Sequence, residues 1–122
     1  MEFRKDEPVY LQIADRIKAA ILKGDYAGGS RIPPVRELAL EWRINPNTVA
    51  KAYRVLQTEG WIESRIGDGN YAAPLPGELR DRARRDLLEM KFAELLADAA
   101  RLGMSAEELE TAFRQFLNRS SL

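Results

Sequence analysis

Between Arg43 and Trp61 the chain reads RINPNTVAKAYRVLQTEGW, and no other stretch constrains the fold as tightly. Val49, Ala52, Tyr53 and Leu56 recur at helical spacing, so one face of this segment must be buried. Asn45 is the expected N-cap, Pro46 suits the first helical position and Gly60 the end, which predicts a helix over 46–59. At about 100° per residue, Asn47, Lys51 and Arg54 fall within about 60° of one another, opposite the apolar stripe. With Thr58 they make that face hydrogen-bonding and cationic, without a carboxylate.

The segments on either side supply what such a helix needs to pack against. PVYLQIADRIKAAILKG predicts a first helix, with Pro8 at its start, a stripe of Tyr10, Ile13, Ala14, Ile17 and Ile21, and Gly24 at its end. After the turn DYAGGS, Arg31-Ile32 suit a very short strand. PVRELALEW predicts a second helix with Val35, Leu38, Ala39 and Trp42 inward, which points Arg36 elsewhere. WIESRIGDGNYAA alternates Ile62, Ser64 and Ile66 against Trp61, Glu63 and Arg65, and its Gly-Asp-Gly turn is a hairpin signal.

PLPG at 74–77 is the clearest boundary. Beyond it Leu88, Phe92, Leu95, Ala99 and Leu102 form a heptad-like seam too short for a free-standing coiled coil. Gly103 ends that helix. Ser105 and Glu108 make a capping box for another, whose Leu109, Ala112, Phe113 and Phe116 are expected to face inward. The predicted architecture is mainly α with a small β-hairpin: a winged helix-turn-helix over 1–73, a linker at 74–77 and a two-helix hairpin over 78–122.

Helix, helix, short turn, helix and hairpin is the order of a module whose third helix enters the DNA major groove. The exposed face suits groove chemistry: Asn can pair with adenine, Lys or Arg with guanine. The 19 basic and 19 acidic side chains cancel, but a nucleic-acid surface is local. From Arg31 to Arg54, Arg31, Arg36, Arg43, Lys51 and Arg54 face only Glu37 and Glu41. Taken alone, Asn47, Lys51 and Arg54 also suit a solvated helix face, Arg36 an ion pair with Glu41, and Gly67 the turn geometry of the hairpin.

Taken in order, PVYLQIADRIKAAILKG, IPPVRELALEW, INPNTVAKAYRVLQTEGWIE and GDGNY resemble the GntR-type bacterial transcription regulators, in their short YtrA-like branch. The resemblance covers residues 8–73, and the two-helix tail is similar too. It implies that Arg36 reaches DNA from the second helix, that Asn45, Asn47 and Thr48 form the recognition-helix entrance, and that Gly67 lies on a wing near the minor groove. Lys51 and Arg54 join this set from the helical wheel. The chain departs from the family at Arg43, where a glycine is usual, at Pro34 in place of serine, and at Asp68 in place of a basic wing residue.

With no histidine and no cysteine, the common catalytic triads and most transition-metal sites have no ligands here, so an enzyme, a cofactor and a metal are not expected. No run approaches the ~18–20 apolar residues of a membrane span, and MEFRKDEPVY lacks a signal-peptide stretch, so no membrane is expected and a cytoplasmic protein is. The expected partners are a double-stranded DNA operator with an inverted repeat and a second copy of the chain, joined through Leu87, Leu88, Phe92, Leu95, Leu96 and Leu102. Repression is expected over activation. A protein-interaction module built on the same fold is the alternative, and an unidentified small-molecule effector has room only between subunits.

Overall fold

Helices α1 (Val9–Lys23), α2 (Val35–Trp42) and α3 (Pro46–Thr58), an antiparallel hairpin of β1 (Ile62–Arg65) and β2 (Gly69–Ala72), then α4 (Gly77–Arg101) and α5 (Ala106–Arg119) follow one another along the chain. The computed structural model describes residues 2–120, and these elements fall into two units, Met1–Gly77 and Glu78–Leu122.

In the first unit, Ile13, Ala14, Ile17 and Ile21 of α1, Leu38 and Ala39 of α2, and Val49, Ala52, Tyr53 and Leu56 of α3 close one core with Ile32, Ile62 and Ala72. Val35 and Trp42, at the ends of the α2 stripe, are only partly buried against it. One polar side chain enters the core. Gln12 accepts the Arg4 N–H at 2.8 Å and donates to the carbonyls of Arg4 and Glu7, both at 2.7 Å, so its burial leaves no unmet amide hydrogen bond and pins the chain before α1.

Left-handed residues end the first two helices. Gly24 closes α1 with φ 97°, and Arg43 closes α2 with φ 55°, where its N–H and that of Ile44 return to Leu40 and Ala39. Among the described residues Arg43 is the one non-glycine with positive φ, so the backbone is strained where the family usually has glycine. Helix α3 stops at Thr58, with Glu59 as its C-cap, one residue short of the expected span.

At the hairpin the very short strand expected at Arg31-Ile32 forms as a bridge, and one expectation changes. The Arg31-Ile32 segment is an extension of the sheet: Ile32 donates to Asn70 at 2.9 Å, Ala72 to Ser30 at 2.8 Å, and Arg31 bridges Tyr71. Ile66 does not continue the inward row of Ile62, because the strand ends at Arg65 and Ile66 enters the turn, fully exposed.

In the second unit, the Ser105–Glu108 capping box forms, with both bonds at 3.1 Å. Gly77 already belongs to α4, so the linker is a residue shorter than expected. The inward packing expected for α5 forms only in part within one chain: Leu109 and Ala112 are half-buried. Phe113 and Phe116 are exposed, no described α5 residue is buried, and of the α4 seam only Ala99 is covered. The close backbone approach of α3 to α1 and α2 has no counterpart between α4 and α5, so two helices of unequal length leave their apolar faces open.

Candidate nucleic-acid interface

Helix α3 is held on its buried side at several points. Val49, Ala52 and Leu56 are fully buried, and Tyr53 reaches out of the core to donate its hydroxyl to the Pro33 carbonyl at 2.5 Å. Burial, then the neighbouring Tyr26 and Glu37, push the Tyr53 pKa well up, so the hydroxyl stays a donor. This bond ties α3 to the segment that leads into α2. One turn further on, Lys18 of α1 meets Glu59 at 2.7 Å, and Gln57 donates to Asn70 of β2 at 2.9 Å. These contacts join the helix and the wing to the core.

The opposite face is open. Asn47, Lys51 and Arg54 are all exposed on it, and Arg36 is exposed one residue into α2. None of Arg36, Lys51 or Arg54 enters an ion pair among the described residues, and the alternative pairing of Arg36 with Glu41 does not form. Asn45 caps the helix, its side-chain oxygen accepting the Asn47 N–H at 2.8 Å, which leaves its amide NH2 as the group available outward. Thr48 is half-buried and offers less than Asn47. Lys51 does not stand straight out: its ammonium lies 4.1 Å from the centre of the Tyr10 ring, a contact of about 0.5–1 kcal/mol that DNA would have to replace. Thr58 turns its hydroxyl back to the Arg54 carbonyl at 2.9 Å, so it belongs to the helix end rather than to the face.

The wing presents Gly67, with φ 74°, inside the turn between β1 and β2. Asp68 there is not a bare charge, because the Tyr71 hydroxyl donates to it at 2.6 Å. That hydrogen bond is the main cause of the raised Tyr71 pKa. The Tyr53 tether, the Gln57–Asn70 bond and the Tyr71–Asp68 bond carried no signal in the sequence, where each residue reads as ordinary core or strand.

Among the described residues no group of histidine, cysteine or carboxylate side chains is placed to hold a metal, and no helix is long and apolar enough to cross a membrane.

A buried three-helix core, a third helix with one face turned outward and an attached two-stranded wing define a winged helix-turn-helix, the class whose third helix reads the major groove. Residues 9–71 match the family model described as bacterial regulatory proteins, gntR family, and the chain belongs to that family of DNA-binding transcriptional regulators. It is 36% identical over 106 residues to the HTH-type transcriptional repressor YtrA of Bacillus subtilis, across 87% of this chain and 82% of that one. Its fold superposes on a GntR family transcriptional regulator from Listeria monocytogenes with a TM-score of 0.82 at 26% identity, covering 93% of this chain and 98% of that one. The chain is also similar to AraR(DBD) in complex with operator ORR3, at TM-score 0.54 and 29% identity over 60% of this chain and 86% of that one.

Proposed function

We propose that this chain is a sequence-specific repressor that reads an inverted-repeat operator as a homodimer. The N-terminal residues of α3 read base edges, Arg36 and the wing approach from either side, and residues 78–122 pair two chains. The observation that carries the reading is the division of α3: one face sealed in the core and held by bonds from Tyr53 and Gln57, the other exposed, cationic and without a carboxylate partner. Asn47 then serves adenine recognition, and Lys51 and Arg54 serve guanine or phosphate. Repression is the activity that the B. subtilis YtrA is named for, and binding to an operator is what AraR(DBD) does in its complex.

The pairing role rests on the apolar seam. Leu88, Phe92, Leu96 and Leu102 are 53%, 56%, 52% and 76% exposed in the single chain, more open apolar surface than a stable soluble unit keeps. Leu95 is exposed beside them, and Leu87 is half-buried. For a sensing role the tail offers an open groove of about 280 Å³ lined by Phe92, Leu95, Leu96, Leu109 and Phe113. That lies below the roughly 300–1,000 Å³ of usual ligand pockets, and dimerisation uses the same side chains.

Selection of bound duplexes from a random pool tests the reading. The expected result is an inverted repeat whose half-sites lie about one helical turn or a multiple apart, with affinity falling steeply as salt rises. Binding to a protein partner with no salt-dependent duplex binding would instead establish the protein-interaction role.

A further inference from the structure

Two arginines outside the recognition helix converge on the tip of the wing. Arg31 pairs with Tyr71 across the edge of the sheet, and its guanidinium runs along the strand to Gly69, the first paired residue after the turn. A Cβ on Gly69 would lie 3.0 Å from the Arg31 Nε and 3.2 Å from an Nη, so the absent side chain is what lets the guanidinium lie there. Arg65, directly opposite Gly69, folds its guanidinium over the Tyr71 ring at 3.8 Å from the centroid. Tyr71 holds the Asp68 carboxylate through its hydroxyl. Glu63 shares the strand face with Tyr71, yet neither arginine forms an ion pair with it or with Asp68 among the described residues.

We propose that Arg31 is a DNA-backbone anchor, delivered to the wing tip by the sheet extension, and that with Arg65 it makes the wing bind phosphate despite Asp68. Tyr71 is the positioning residue: its ring seats Arg65 and its hydroxyl occupies the carboxylate that would otherwise face phosphate. Two guanidiniums held at a hairpin tip, with hydrogen-bond donors uncommitted to carboxylates, match the planar donor geometry that phosphate recognition uses. The proposal rests on the DNA-binding reading above and adds to it a contact from outside both the helix-turn-helix and the wing turn.

The test measures duplex affinity across salt for the full chain and for Arg31→Ala, Arg31→Lys, Tyr71→Phe and the pair Tyr71→Phe with Asp68→Asn. Circular dichroism accompanies each variant to establish that it is folded. Arg31→Ala should bind about fivefold more weakly near 0.15 M salt on specific and random duplexes alike, with the salt slope lower by about one unit. Arg31→Lys should keep that slope. Tyr71→Phe should weaken binding broadly, and adding Asp68→Asn should recover part of the loss. A folded Arg31→Ala with wild-type affinity and slope overturns the proposal, as does an equal loss in Arg31→Ala and Arg31→Lys with unchanged slope, which marks a packing role. Absence of salt-dependent duplex binding in the wild type overturns the DNA reading itself, a separate failure.

Discussion

Helices α1, α2 and α3 carry apolar stripes of much the same kind as α4 and α5, yet the first three close on one another and the last two stay open. The difference lies in what each stripe can reach. In the first unit three helices and a sheet surround one line of contact, and Ile13, Val49, Ala52, Leu56 and Ala72 lose all solvent exposure. In the second, one long and one shorter helix share a capped turn, and apolar residues lie on more than one side of α4, so two elements cannot cover them all. A stripe predicts that burial must occur; it does not say in which molecule. On the proposed dimer reading, the first unit's stability belongs to the chain, and the second's belongs to an assembly.

Substituting one residue in each unit is the strongest test of that contrast. Leu56→Ala empties a fully buried site at the centre of the first unit and should cost about 2–5 kcal/mol, with a midpoint of unfolding that does not depend on protein concentration. Leu95→Glu, a few kcal/mol if its carboxylate meets an apolar interface, should act through concentration instead. Light scattering should show dimers for the wild type and monomers for the variant, with circular dichroism reporting helix content largely kept. A wild type that is monomeric at micromolar concentration and still binds one duplex tightly would end the dimer reading and the inverted repeat with it.

Within the first unit the two faces of α3 differ as sharply as the two units do. Asn47→Ala should relax sequence preference by about 1–3 kcal/mol at one base position while leaving the fold intact. Lys51→Ala should weaken specific and random duplexes alike and flatten the salt slope by about one unit, and the Tyr10 contact tempers its effect, since the bound ammonium must first leave that ring. Affinities measured across a duplex panel check both, and wild-type values for both variants would remove α3 from the interface.

The buried face has its own titration. The Tyr53 pKa in the fold lies above the ordinary tyrosine value of about 10. Its contribution is therefore fully present below that pH and is lost as pH rises from there toward the folded value. Above pH 10 stability should fall by up to about 1.4 kcal/mol per pH unit from this group alone. Tyr53→Phe should remove that part of the slope, at a cost of about 1 kcal/mol near neutrality for the bond to Pro33. Denaturant unfolding of both proteins at neutral and alkaline pH measures the difference.

What was legible in the residues was the periodic part. The stripes of α1, α2 and α3, the Asn45 cap, the Ser105–Glu108 box and the hairpin all follow from local rules in which neighbours three or four apart, or alternate residues, share a fate. The exposed face of α3 was legible for the same reason, as the complement of a buried stripe. The non-periodic part was not. Tyr53 to Pro33, Gln57 to Asn70 and Arg31 beside Gly69 join positions that only the tertiary path brings together, and nothing in their spacing marks them. Ile66 misled because alternation continues in sequence past the point where the turn ends the strand. Phe113 and Phe116 misled because their pattern gives a face and no partner.

Arg43 offers the smallest expected effect and separates stability from binding within one residue. Its φ of 55° and ψ of 51° place a branched backbone where L-residues pay about 1–2 kcal/mol. Glycine would remove that strain but lose about 0.5–1 kcal/mol through its freedom in the unfolded chain. Arg43→Gly should therefore stabilise the protein by about 0.5–1 kcal/mol, a rise in the unfolding midpoint of a few degrees. The same change deletes a cation from the turn between α2 and α3, beside the entrance of the recognition helix. A variant that melts higher yet binds duplex with a shallower salt slope shows strain retained for the sake of a charge near phosphate. Arg43→Asn, which tolerates the left-handed conformation without the charge, should follow the glycine variant in binding. If both melt higher and bind as the wild type does, the arginine serves neither the fold nor the interface.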